Sequence, residues 1–184
     1  MKLVNLIEED FTNYKKPGLF LGFPYCSGKC NNDAGKIVCQ NTELYNAKMI
    51  DISLSEIIDR FENNPITEAL IFGGLEPFDS FDEMLALILL FRKKYFARIY
   101  PIIIYTGYYP HEIKKQLCVL KSLSLSTGII IKFGRYIPGD EPHLDPYLGV
   151  NLASNNQYAI PLDILWSGVD LIDYLGYHLE EGNN

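Results

Sequence analysis

Short apolar runs alternate along this chain with longer amphipathic stretches, and the alternation repeats several times. Residues 19–24 form an apolar run that predicts a buried strand. Ser53-Leu54-Ser55 opens a predicted helix over 54–63, with Leu54, Ile57, Ile58 and Phe61 on one face. Residues 69–72 predict the next strand, followed at once by Gly73-Gly74. A helix is predicted from about 81 to 94, apolar almost all round and therefore expected to be deeply packed. Residues 101–106 predict a third strand with Gly107 at its end, and Pro110 suits the first turn of a helix through about Leu120. Residues 129–133 predict a fourth strand, which again ends in a glycine, Gly134.

Strand, loop and helix in repetition imply an α/β fold with a mostly parallel sheet and crossover helices. The strands read as continuous apolar runs, as expected when both faces of a sheet are covered. In such sheets the functional site lies beyond the carboxyl ends of the strands. Cys26, Gly73-Gly74, Thr106-Gly107 and Gly134-Arg135 all fall there. After Gly134 the pattern changes: residues 135–157 are rich in Pro, Gly, Asp and Asn and read as a long ordered loop. The tail, 161–184, carries Leu162, Ile164, Leu165, Trp166, Leu171, Ile172 and Leu175, enough apolar surface to pack on the sheet, with its last few residues frayed. No linker or repeat is visible, so the 184 residues are expected to form one domain with its core over about 18–160.

Composition narrows the partners. The chain has a net charge of −7 and no Lys/Arg stripe, which argues against nucleic acid. The first residues, MKLVNLIEEDF, turn acidic too early for a signal peptide, and the longest apolar run, 84–91, is too short to span a membrane. A cytoplasmic location is expected, where clustered cysteines are more often metal ligands or catalytic groups than disulfides.

Three of the four cysteines, Cys26, Cys30 and Cys39, fall within fourteen residues on a Gly- and Asn-rich stretch that follows the first strand. Packing explains such a cluster poorly. Three thiolates suit a metal or iron–sulfur site with one coordination position left open. The bland alternative is a structural zinc, which needs a fourth N or S ligand in closed tetrahedral form. His111, His143 and His178 lie far along the chain without ligand spacing, and Cys118 reads as packed among Ile113, Leu117 and Leu120. Asp140, Glu141, His143 and Asp145 read as a solvated loop rather than a second metal site.

Five segments taken in order resemble the radical S-adenosylmethionine enzymes, and more narrowly the activating proteins of anaerobic ribonucleotide reductases. They are the Cys loop, Gly73-Gly74-Leu75-Glu76-Pro77, Tyr105-Thr106-Gly107-Tyr108, Gly134-Arg135-Tyr136-Ile137 and Ala153-Ser154-Asn155-Asn156-Gln157. The resemblance runs from about Gly18 to Tyr158 and implies a partial (β/α) barrel. It implies a [4Fe–4S] cluster on Cys26, Cys30 and Cys39, with S-adenosylmethionine on the open iron. It further implies that an electron from the cluster cleaves the sulfonium and yields a 5′-deoxyadenosyl radical. Gly73 and Gly74 would admit the methionine part of the cofactor, Glu76 would accept from its ammonium, and Thr106 would reach the ribose. Arg135 would hold a carboxylate or serve as a rim ion pair, and Asn155 and Gln157 would contact the cofactor or support the rim.

Two departures stand out. The family spacing C-x3-C-x2-C is here C-x3-C-x8-C, with Asp33 where the third cysteine is usual, so the third ligand is assigned to Cys39 over Asp33 or Cys118. Leu75 is inserted between the glycine pair and Glu76. The function expected from the resemblance is an oxidoreductase, a glycyl-radical-generating activase. Its protein substrate would be the large subunit of an anaerobic ribonucleoside-triphosphate reductase, and its electron donor a protein such as flavodoxin. The alternatives are the same chemistry on another substrate, or a non-catalytic, zinc-stabilised binding module.

Overall fold

Among the described residues six strands form the central sheet, and they lie in it in the order in which the chain makes them. The structure is a computed structural model that describes residues 1–123, 125 and 127–166. The chain begins with β1 (Lys2–Leu3), β2 (Asn5–Asp10) and β3 (Gly18–Phe23). A short helix, α1 (Lys29–Ala34), interrupts the Cys loop, and β4 (Ile50–Asp51) pairs back onto β1. Then follow α2 (Leu54–Asn63), β5 (Ala69–Gly74), α3 (Phe81–Lys94), β6 (Ile102–Tyr105), α4 (Lys114–Ser122) and β7 (Ile129–Phe133). A hairpin of β8 (His143–Leu144) and β9 (Asn151–Leu152) precedes the last strand, β10 (Tyr158–Pro161).

Strands β3, β5, β6 and β7 are parallel, and antiparallel β2 and β10 close the two edges. Each crossover therefore steps one strand in the same direction. Right-handed crossovers that never reverse deliver the crossover helices α2, α3 and α4 to one face of the sheet. The burial pattern agrees: Leu19, Leu21, Leu70, Phe72, Ile102, Ile104, Ile129 and Ile131 join α2, α3 and α4 in the main core. The alternate strand residues Phe20, Ala69, Ile71, Ile103, Tyr105 and Ile130 face the other way, against Tyr14, Leu148, Val150 and Leu152. So both faces are covered, one by helices and the other by the N-terminal segment and the β8–β9 hairpin.

Local chemistry explains the helices. Ser53 Oγ accepts the Glu56 amide of α2 at 3.1 Å, and Arg60 pairs with Glu56 one turn away at 2.8 Å. Helix α3 begins with Asp82 and Glu83 and ends with Arg92, Lys93 and Lys94, the charge order its dipole favours. It is not buried all round as its composition suggests: Met84, Leu87, Ile88 and Phe91 form one inward stripe, while Leu89 is exposed. The helix after Pro110 starts as a 3-10 turn, Pro110–Ile113, before α4. Cys118 is exposed on α4 rather than packed beside Leu117 and Leu120, because those two residues carry the buried face. Leu162 and Leu165 enter the main core as expected of the tail but Ile164 is exposed, and Leu171, Ile172, Leu175 and the chain's last residues lie outside the described residues.

Candidate functional site

The four strand-end segments singled out by sequence meet at one cavity of about 570 Å³, on the face of the sheet opposite α2, α3 and α4. Its floor is the outward row of the strands, with Phe20 of β3, Gly73 of β5, Tyr105 of β6 and Lys132 of β7. Its rim holds Gly74, Thr106, Gly107, Gly134 and Arg135, and all three clustered thiols line it. That volume is within the roughly 300–1,000 Å³ typical of small-molecule sites.

The Cys loop is built by side chains rather than by regular structure. Helix α1 has only six residues and is bracketed by Gly28 and Gly35, both left-handed. It brings Cys30 beside Gly107, where an added Cβ would lie 3.4 Å from Cys30 Sγ and 3.7 Å from Glu76 Oε2. Asn31 Oδ1 accepts the amides of Val38 and Cys39 at 2.8 and 3.0 Å, which folds the long x8 segment back on itself. Asp79 accepts the Ser27 amide and the Tyr108 hydroxyl, both at 2.6 Å. Cys26 Sγ accepts the Gly28 amide at 3.3 Å. Burial pushes the Cys26 and Cys30 thiols up from their ordinary range.

Leu75 does not break the strand pairing. Its amide donates to Phe23 O and that of Glu76 to Tyr25 O, so the backbone ladder between β3 and β5 runs on past Gly74. Gly74 has φ +81°, and a Cβ there would lie 2.6 Å from Gly22 Cα, so only glycine lets the two backbones close. The consequence falls on Glu76, which turns inward and is buried. Its carboxylate accepts the Phe78 amide at 3.1 Å, the Thr106 hydroxyl at 2.8 Å and the Gly107 amide at 2.9 Å. Desolvation outweighs these three bonds and pushes its pKa up to about 7. A carboxylate offers about four acceptor positions, so one remains for a ligand.

The hydroxyl of Thr106 is committed to Glu76 and accepts the Tyr108 amide at 3.0 Å, which makes it a strut of the rim rather than a hydroxyl aimed at a ribose. Asn155 does not line the cavity; its amide and Nδ2 both donate to Asp140 on the outer loop. Gln157 does line it, and Asn156 holds Arg135 O and the Tyr109 hydroxyl. Arg135 is paired with Glu112 Oε1 at 2.6 Å and stands 2.9 Å from Asp33 Oδ2, without hydrogen-bond alignment at Nε. Asp33 is thus held by a guanidinium, and Cys39 is the third sulfur at the cavity.

Sequence reasoning missed two residues. Lys132 is buried in the cavity floor, where Nζ donates to Gly134 O at 2.8 Å and desolvation lowers its pKa to about 8. A lysine inside Ile-Ile-Ile-Lys-Phe was the available signal, because a lone buried cation in an apolar strand has to answer to something. Glu112 accepts from Lys29, Arg135 and the Tyr109 amide. Burial alone would raise its pKa, yet those donors hold it at about 2. Its place in the first turn after Pro110, where a carboxylate can reach back to the Tyr109 amide, was the sequence signal.

Three free, partly buried thiols fit an iron–sulfur group in donor kind and number, and the cavity they line leaves room beside them. Among the described residues no three Cys, His, Asp or Glu side chains are grouped to hold a metal ion, and those lining the cavity include no imidazole and no fourth thiol. No helix among the described residues is long and apolar enough to cross a membrane. Comparison with known family models, curated proteins and solved structures gave no match to this chain.

Proposed function

We propose that the chain is a radical S-adenosylmethionine activase that generates a glycyl radical on a partner anaerobic ribonucleotide reductase. The observation that carries the reading is the meeting of three free thiols with a glycine-lined rim, in one cavity at the carboxyl ends of parallel strands. One-way winding with the crossover helices α2, α3 and α4 on the face away from the cavity is also what an open, partial (β/α) barrel would have.

Cys26, Cys30 and Cys39 would hold the [4Fe–4S] cluster, leaving one iron for S-adenosylmethionine. When bound, that pair supplies one-electron cleavage of the sulfonium and hydrogen abstraction. The chain's own residues bind and orient. Gly73 and Gly74 line the cavity, their absent side chains giving way to Phe20 and to the Gly22 backbone of β3, and Glu76 keeps one acceptor position for an ammonium. Tyr105 and Phe20 give the floor an apolar surface, and Lys132 places a cation beneath it. Arg135 holds the loop in place and is not a free anion receptor. A flavodoxin-like electron donor and a protein substrate belong to the same reading, as does a cytoplasmic setting.

The test is an anaerobic iron and sulfide assay with a visible spectrum, followed by dithionite and S-adenosylmethionine. About four irons per chain and release of 5′-deoxyadenosine support the activase. Stoichiometric zinc without cleavage refutes it and leaves the cysteine loop as a structural clasp.

A further inference from the structure

The geometry points to Glu112 as a positioning residue that fastens the cysteine loop to the cavity rim through Lys29 and Arg135. The inference rests on the reading of the three thiols as the ligand set. Glu112 lies more than eighty positions from Lys29, on the turn that leads into α4. Its Oε1 accepts Lys29 Nζ and Arg135 Nη2, each at 2.6 Å. Its Oε2 accepts the Tyr109 amide at 2.8 Å, which fixes the carboxylate on its own backbone.

Lys29 and Asp33 sit one turn apart on α1 and flank Cys30. Lys29 reaches Glu112 directly, and Asp33 reaches it through Arg135, so the two contacts hold α1 at both ends of its single turn and a half. The two cations are themselves set by aromatic faces. Lys29 stands 5.4 Å over the Tyr108 ring and Arg135 stands 5.0 Å over the Tyr109 ring. No side chain of α1 is buried, so its tethers are polar: the ion pairs of Lys29 and Asp33, and the Asn31 bonds to the Val38 and Cys39 amides. Glu112 is nearly enclosed and makes charge-assisted bonds to two cations, a stronger arrangement than an exposed surface pair.

Two variants separate this role from the capping of the α4 turn. Lys29→Met cuts the loop side of the clasp and leaves Glu112 on Tyr109 and Arg135. Glu112→Gln keeps an acceptor for the Tyr109 amide and removes the charge. Hydrogen exchange is measured by mass spectrometry on the reduced, metal-free chain, with urea midpoints to certify folding. In both variants, peptides spanning 26–39 are expected to exchange at least threefold faster, while those of β5, β6 and β7 stay unchanged. After anaerobic reconstitution, iron is expected to leave either variant severalfold faster than wild type under a chelator, from equal starting content.

Unchanged exchange over 26–39 in Lys29→Met overturns the proposal. So does faster exchange confined to 109–122 in Glu112→Gln, which marks Glu112 as a cap and nothing more. Should the wild type take up no iron while the loop exchange still responds, the ligand reading fails and the clasp stands.

Discussion

Glu76 and Lys132 place a carboxyl and an amine in the same buried floor and rim, and their joint titration gives the chain an unusual stability profile. Burial raises Glu76 from 4.5 to about 7 and lowers Lys132 from 10.5 to about 8. Between pH 4.5 and 7 the folded chain keeps a proton on Glu76 that the unfolded chain has released. Stability therefore falls as pH rises, by about 1.4 kcal/mol per unit and about 3 kcal/mol in all. Between pH 8 and 10.5 the folded chain has lost the Lys132 proton that the unfolded chain keeps. Stability then rises with pH by a similar amount. The two groups together predict a trough between pH 7 and 8.

Urea denaturation of the reduced, metal-free chain at pH 4.5, 6, 7.5 and 9 measures it, with Glu76→Gln and Lys132→Met as partners. The gap between Glu76→Gln and wild type should move by about 3 kcal/mol in favour of the variant from pH 4.5 to 7.5. The variant's amide faces the Gly107 N–H, so it starts below wild type at the acid end. Lys132→Met should abolish the alkaline rise. A gap that stays flat within about 0.5 kcal/mol from pH 4.5 to 7.5 would refute the claim that desolvation governs Glu76.

Gly74→Ala combines a left-handed backbone with a Cβ 2.6 Å from Gly22 Cα, and should destabilise by about 3 kcal/mol in urea. Asp145→Asn leaves one of the amides of Tyr147, Leu148 and Ala159 facing a donor, and should lower stability by about 2 kcal/mol in the same assay. Cys39→Ala should reduce reconstituted iron to a small fraction of wild type, whereas Asp33→Asn and Cys118→Ser should leave it intact. Iron retained by Cys39→Ala would move the third ligand elsewhere.

The parallel strands are legible in the sequence as continuous apolar runs closed by glycines, α2 as a one-sided apolar stripe behind a serine cap, and α3 by the length of its apolar run. Ala69–Gly74 and Phe81–Lys94 are examples, and Leu54–Asn63 matches its expected limits. Strands β2 and β10 are harder to see. Asn5–Asp10 is half acidic, and Tyr158–Pro161 is four residues long and ends in proline, so neither carries the apolar run of a central strand. The rim segments are legible as well, since glycines at strand ends are visible one by one. Which of their polar side chains face inward is not. Thr106 and Asn155 are spent on neighbours that only the fold brings near, Glu76 and Asp140. Lys132 faces the cavity through strand parity, and the same parity explains why its neighbours Ile131 and Phe133 face the helices.

A sheet whose strands lie in the order of synthesis can grow at one edge as the chain leaves the ribosome. The cysteine loop then emerges early, while Glu112 and Arg135 follow 82 and 105 residues after Cys30. At roughly 5–20 residues per second, the thiols spend on the order of 5–20 seconds outside their cavity wall. Cys26, Cys30 and Cys39 meet the cell's oxidants and metals before the fold can choose among them, so on the proposed reading cluster loading is a contest in time as well as in affinity.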